Sequence, residues 1–305
     1  MTAVFARVST KQAIAIVAAL ILALMVGLFG IFGSAGQNNS FQPQNEFKLT
    51  PWIDIHIGGL DLSITKGVFY VILACVLTCI AMVYVARRMQ ERPNNVQTAV
   101  EMTYDLTFNQ IARQNMEADL ARKWFPFIAS VFFFILISNL IGYIPLPTNT
   151  EHPIHIGSLQ IPSFAIYAAT ANVSVPLVLT LVVWFSYHVE GIRAKGFIPY
   201  FKGWLPAGIS GGLAFLVFPI EVISQFVRII SLSVRLFANL LAGHLLILFM
   251  GGGLVVILGI AALGPLTLIV AIVFFIFEVI LIAGLQAFIF STLTAIYLGE
   301  ATEGH

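Results

Sequence analysis

The chain has 305 residues, 59% of them hydrophobic and only 10% charged, with a formal net charge of +1. With a mean hydropathy of +0.96, that balance excludes an ordinary soluble domain and describes a polytopic membrane protein. The Lys and Arg residues are scattered along polar loops, so no basic face is available for nucleic acid.

In chain order, the first apolar stretch lies near 13–33, after Arg7 and Lys11 and before Gly33-Ser34-Ala35. Residues 1–40 therefore read as a long N-terminal leader or as an extra transmembrane helix, and in either case 36–66 are delivered outside. Residues 41–300 form a single membrane domain. Taking about 20 apolar residues per crossing, its spans fall near 68–86, 124–145 and 164–187. Cys75 and Cys79 sit one helical turn apart in the first of these, where thiols act as small hydrophobes rather than as a disulfide or zinc framework. Apolar residues at helical spacing over 94–118 predict a helix, amphipathic at the inner interface or simply solvated.

Two longer runs follow, near 208–250 and 254–298, with Gly251, Gly252 and Gly253 between them as the turn of a helical hairpin. At 1.5 Å per residue each arm reaches about 60 Å, twice a hydrocarbon core, so the arms tilt strongly, break, or lie partly in the membrane plane. The fold expected is all-α: a polytopic transmembrane helical protein with a long, strongly tilted C-terminal hairpin. No short-period repeat or inverted halves are visible.

Orientation follows from the basic loops. Arg87, Arg88, Arg92, Arg113, Arg122 and Lys123 put 87–123 inside, and Arg193, Lys195 and Lys202 do the same for 188–204. The 146–163 connection then faces outward and the C-terminus returns inside. Trp124, Trp184 and Trp204 fall at or near span edges, as interfacial aromatics do.

Between Gly203 and Gly299 the only formal charges are Glu221, Arg228, Arg235 and Glu278. A charge at a bilayer centre costs about 2.5 to 3.5 kcal/mol on insertion scales, so such residues line a polar path or meet a partner. Projected at about 100° per residue, Glu221, Arg228, Ser231 and Asn239 all fall within about 40° of Arg235, forming one polar stripe. His244 lies about 180° round the helix. Glu, Ser and Asn can hold water and pass protons, whereas Arg stays protonated and serves as a fixed positive charge. Arg228 and Glu221, seven residues apart, can instead neutralise one another as a structural pair. Arg235 has only Ser231 and Asn239 beside it on its own arm, so its counter-charge is expected from another subunit. His244 can exchange protons or be merely hydrogen-bonded, and Glu278 can pair with it.

The strings SLSVRLFANLLAGH at 231–244 and GLQAFIFSTLTAIYLGE at 284–300, with EVIS at 221–224, SNLIGYIPLP at 138–147 and ATANVSVPL at 169–177, resemble the a subunit of the membrane sector of F-type ATP synthases. The likeness covers the chain from about residue 50 onward. It implies a stator subunit beside a ring of c subunits, with two offset aqueous half-channels that protonate and deprotonate the ring's carboxylate. Arg235 matches the stator arginine, Gln286 the glutamine near it, and Asn239 and Ser231 polar residues of the same helix. Glu221 matches an acid of the inner exit half-channel. His244 and Glu278 resemble the His and acid of the outer entry half-channel, with Asn139 and Asn172 on its polar lining. The implied partners are the c-ring, peripheral-stalk b subunits, the remaining ATP synthase subunits and the lipid bilayer. The implied location is the bacterial inner membrane, with the C-terminus cytoplasmic.

Three positions depart from the family pattern. Glu278 stands eight residues before Gln286 where seven are expected, which turns it by about 100°. Ile229 replaces a common Pro, and Gly142 an occasional Asp. Competing readings are a stand-alone secondary transporter or channel, in which Arg235 pairs with Glu221 or Glu278, and a non-conducting assembly subunit. No nucleotide loop, metal-binding helix motif or serine elbow is present, so the chain is expected to be non-catalytic, without cofactor or metal.

Overall fold

Backbone polar groups in lipid have to be satisfied within the segment, so apolar runs of this length fold as helices. The computed structural model describes residues 10–32, 49, 51–57, 60–87, 94–144, 154–156, 159–161, 168–205, 212–253, 255 and 263–302. Among them, five helices are long and apolar enough to cross a membrane: Lys66–Tyr84, Ala118–Ile141, Ser174–Lys195, Gly212–Gly251 and Gly264–Thr302. The protein is an all-α, polytopic membrane protein. Its only described strands are antiparallel pairs within connections: Pro51–Ile53 with Ile64–Thr65, His56–Ile57 with Leu60–Asp61, and Ile154–Ile156 with Leu159–Ile161.

The helices are α1 (Thr10–Phe32), α2 (Lys66–Arg87), α3 (Asn95–Asp105), α4 (Arg113–Asn115), α5 (Ala118–Ile141), α6 (Ser174–Lys195), α7 (Phe197–Lys202), α8 (Gly212–Leu248), α9 (Gly264–Phe277) and α10 (Ala283–Thr302). The amphipathic region is helical as expected, as α3, a π-helical stretch Leu106–Ala112 and α4. Asn94 starts it by accepting from the Gln97 N–H at 2.8 Å. The third span is α-helical only from Ser174, the described residues 168–173 before it being a 3-10 turn and its flanks; just ahead of α6 the Asn172 carboxamide accepts the Ser174 N–H at 2.9 Å. It also runs on through Glu190, Arg193 and Lys195, and ends where Gly196 adopts a φ of 87°. Trp184 thus lies within a helix rather than at a span edge. The three glycines at 251–253 continue the first long arm as a π-helical turn, Phe249–Gly253, rather than ending it. Most of 254–262 lies outside the described residues, as do 1–9 and 33–48, so the choice between a leader and an extra transmembrane helix for residues 1–40 falls partly outside them.

The residues fall into two compact units, Met1–Lys48 with Ala242–Glu278, and Leu49–Leu241 with Val279–His305. In the first, α1 and the Phe249–Gly253 turn both pack against α9. In the second, α10 packs against α5 and α6, and α2 against α5. Lipid gives helices no hydrophobic drive to associate, so close backbone approach has to supply the contact. The buried face of α10 is mostly of small residues, Ala283, Ala287, Ser291, Thr294, Ala295, Gly299 and Ala301, with Gln286, Phe290 and Leu298 set among them.

Asn139 ties this second unit together. It is fully buried; its Oδ1 accepts from Thr170 Oγ1 at 2.7 Å and its Nδ2 donates to the Ala283 carbonyl at 3.2 Å. Asn139→Ala leaves both partners unsatisfied, a cost of about 1 to 3 kcal/mol for a buried polar group. The expected result is a lower unfolding midpoint of the detergent-solubilised protein; an unchanged midpoint contradicts the tie.

Candidate functional site

Along α8 the residues sort as their angular positions require. Ser231, Arg235 and Asn239, spaced by four, are all exposed, amid the exposed apolar side chains of Ile223, Val227, Ile230 and Val234. Among the described residues, Arg235 makes no ion pair. His244, on the opposite side of the helix by angle, is buried at 4% exposure. One helix therefore carries an outward guanidinium and an inward imidazole.

Arg228 does not pair with Glu221. Its Nη1 donates to Glu300 Oε2 at 2.9 Å, and its guanidinium lies 4.8 Å from the centre of the Tyr297 ring, a cation–π distance. Both partners belong to α10. Glu300 stands one residue beyond the apolar stretch that frames the four membrane charges, and its pairing spans 72 residues, so local spacing carries no signal of it.

This pair lines a cavity of about 350 Å³ whose walls also include Glu221, Gln225, Lys195, Tyr187 and Tyr297. Gln225 is buried and accepts from the Tyr187 hydroxyl at 2.8 Å, while Glu221 is half-buried. Tyr200 of α7 also lines it, with its hydroxyl in a 2.5 Å hydrogen bond with His188 Nδ1. Burial pushes the Tyr200 hydroxyl above its ordinary pKa, so it stays protonated. The cavity thus gathers acids, amides and hydroxyls that can order water, with basic Lys195 and Arg228 at its walls. A separate ion pair joins α5 to α6, Lys123 to the buried Glu190. Sequence reasoning left Glu190 in the basic loop, because the three charges near the end of α6 look solvated.

Glu278 is buried at 5% exposure. In the same unit, its carboxyl group lies directly against Gly243, so that a Cβ on Gly243 falls inside the space of the carboxyl atoms. Glu278 opens a π-helical turn, Glu278–Ile282. A π turn admits one residue more than an α turn, which accounts for the eight-residue spacing to Gln286. Gln286 is itself buried on α10. The other two departures also have local consequences. Ile229 keeps its N–H, leaving Pro219 as the proline inside α8. Gly142 packs so closely that a Cβ meets the Ala168 backbone at 2.8 Å, leaving no room for Asp.

Asn139 and Asn172 both have defined hydrogen bonds, one in the tie described above and one accepting the Ser174 N–H just ahead of α6. The sequence-derived residues therefore fall as an exposed stripe (Ser231, Arg235, Asn239), an acid lining the cavity (Glu221), and a buried His and Glu in the other unit (His244, Glu278).

Residues 68–299 match the protein family described as ATP synthase A chain. Similar proteins include ATP synthase subunit a of Hyphomonas neptunium (strain ATCC 15444), 32% identical over 269 residues, covering 86% of this chain and 96% of that protein. ATP synthase subunit a of Brucella ovis (strain ATCC 25840 / 63/290 / NCTC 10512) is 32% identical over 270 residues, covering 86% of this chain and 98% of that protein. The corresponding subunit of Brucella suis (strain ATCC 23445 / NCTC 10510) has the same identity and coverage.

Proposed function

The chain belongs to the ATP synthase subunit a family, the proton-translocating subunit of the membrane sector, and from that premise we propose that it works by two offset half-channels acting on a carboxylate of the neighbouring c-ring. The observation that carries this reading is Arg235: a permanent cation on an exposed membrane-helix face, flanked by Ser231 and Asn239, with no ion pair among the described residues. Such a charge calls for an anion from outside the chain.

The outer half-channel uses His244 and Glu278 to take up a proton. The proton neutralises a ring carboxylate, which then travels through lipid as an uncharged group. When that carboxylate reaches Arg235, the guanidinium lowers its pKa by about 1 to 3 units and drives release. The proton leaves through the inner cavity by way of Glu221. Arg235 also blocks direct passage, since it does not give up its own proton. Gln286, Asn239 and Ser231 hold the guanidinium and water around the exchange point. The long arms tilt strongly to run beside the ring. The chain sits in a bacterial inner membrane with its C-terminus cytoplasmic, held by b subunits, and nucleotide chemistry belongs to other subunits.

Affinity purification through a tag on this chain tests the assignment. The expected product contains a ring of small two-helix subunits with a midmembrane carboxylate and pumps protons on ATP in proteoliposomes. Recovery of this chain alone, transporting a solute, contradicts it. At the outer half-channel, His244→Ala slows proton translocation without loss of assembly. Pumping that keeps the parent rate at every pH from about 5 to 9, the range in which a His titrates, contradicts that role.

A further inference from the structure

We propose that Glu300 is a positioning residue: by holding the Arg228 guanidinium against α10, it keeps that cation off Glu221 and leaves the Glu221 carboxyl free to exchange protons in the inner cavity. The proposal rests on the reading of Glu221 as an acid of the inner path.

Arg228 and Glu221 stand on one face of α8, two turns apart, and line the same cavity. An Arg and a Glu so placed ordinarily attract, and a guanidinium that reached Glu221 would hold it ionised. Instead Arg228 is engaged twice on the last helix, by the Glu300 carboxylate at 2.9 Å and by the Tyr297 ring at 4.8 Å. Glu221 is in no ion pair among the described residues. The groups facing Glu221 across the cavity are Lys195 and Tyr187 of α6, Tyr200 of α7, Arg228 of α8, and Tyr297 and Glu300 of α10. Of the two cations, Arg228 shares its helix face, and Glu300 is the carboxylate that restrains it. The ring of Tyr297 alone is a weaker hold than carboxylate and ring together. Without Glu300 the guanidinium, half-desolvated at 28% side-chain exposure, turns to the remaining acid of the cavity.

The test uses the intact ATP synthase in inverted vesicles, where the cavity's side faces the medium and ATP-driven pumping draws protons through it. Glu300→Gln is expected to move the pH profile of pumping toward acid by about 1 to 3 units, the effect of a cation beside a carboxylate. Adding Arg228→Gln removes the cation and returns the profile toward that of the parent. An unshifted profile in Glu300→Gln, or a double variant no better than the single one, overturns the proposal; the second result is that of a contact that merely braces α8 against α10. If Glu300→Gln fails to assemble, the Arg228→Gln background carries the test: there Glu300→Gln leaves the profile where it is, and a further shift overturns the role. Glu221→Gln, measured alongside, reads the underlying assignment separately. Pumping at the parent rate by Glu221→Gln removes that acid from the path, and the proposal with it. Impaired pumping by Glu221→Gln beside an unshifted Glu300→Gln overturns the role of Glu300 alone.

Discussion

Arg235→Ala abolishes ATP-driven proton pumping and leaves the complex assembled. The two halves of this expectation have separate grounds. Arg235 is exposed on α8 and makes no ion pair among the described residues, so truncating it opens no core cavity and orphans no described carboxylate; substitutions at such positions cost about 0.5 kcal/mol or less. Function depends instead on the fixed cation. A ring carboxylate in an apolar setting binds its proton tightly, and losing a shift of about 1 to 3 pKa units cuts its ionised fraction roughly 10- to 1000-fold near neutral pH. Arg235→Lys is also expected to pump poorly, because an ammonium lacks the planar fork that meets a carboxylate at two points. Fluorescence-quench assays in inverted vesicles, with subunit content checked in parallel, read both variants. Coupled pumping by Arg235→Ala at the parent rate contradicts the role.

The second large effect is expected at Gly243. Its Cα faces the buried Glu278 carboxyl so closely that even one methyl occupies the same space. Gly243→Ala therefore has to displace the Glu278 carboxyl, the movable end of that side chain, from its place against α8. Pumping falls several-fold as Glu278 leaves its position, an effect separable from simple unfolding. Shortening the acid by one methylene, Glu278→Asp on the Gly243→Ala background, withdraws the carboxyl and recovers part of the pumping. If Gly243→Ala pumps normally, or the shorter acid only worsens it, the steric account is wrong.

Much of this arrangement was legible from local pattern. Helical projection alone separates Ser231, Arg235 and Asn239 from His244, and the exposed stripe and buried imidazole follow that division. The spans follow from apolar run length, which lipid makes a nearly sufficient cue because the backbone has no other way to satisfy itself. What local pattern misses is pairing at long range and irregularity in the helix. The Arg228 to Glu300 bond joins two helices whose relation appears in no spacing rule, which left Glu221 as the apparent partner. Apolar run length also does not mark where α6 starts, at Ser174, whose N–H is bound by the Asn172 side chain two residues earlier. The π turn at Glu278–Ile282 turns an apparent misalignment into an inserted residue, and nothing in the composition of EVILI distinguishes it from an α turn. Gly251–Gly253 show the converse: glycines that read as a break are carried within a π turn.

The most direct measurement is an experimental structure of the assembled complex at a resolution that shows side chains. A ring carboxylate standing opposite the Arg235 guanidinium, with no carboxylate of this chain bound to it, is the predicted result. Arg235 turned toward lipid, or already clamped by Glu221 or Glu278, contradicts the account.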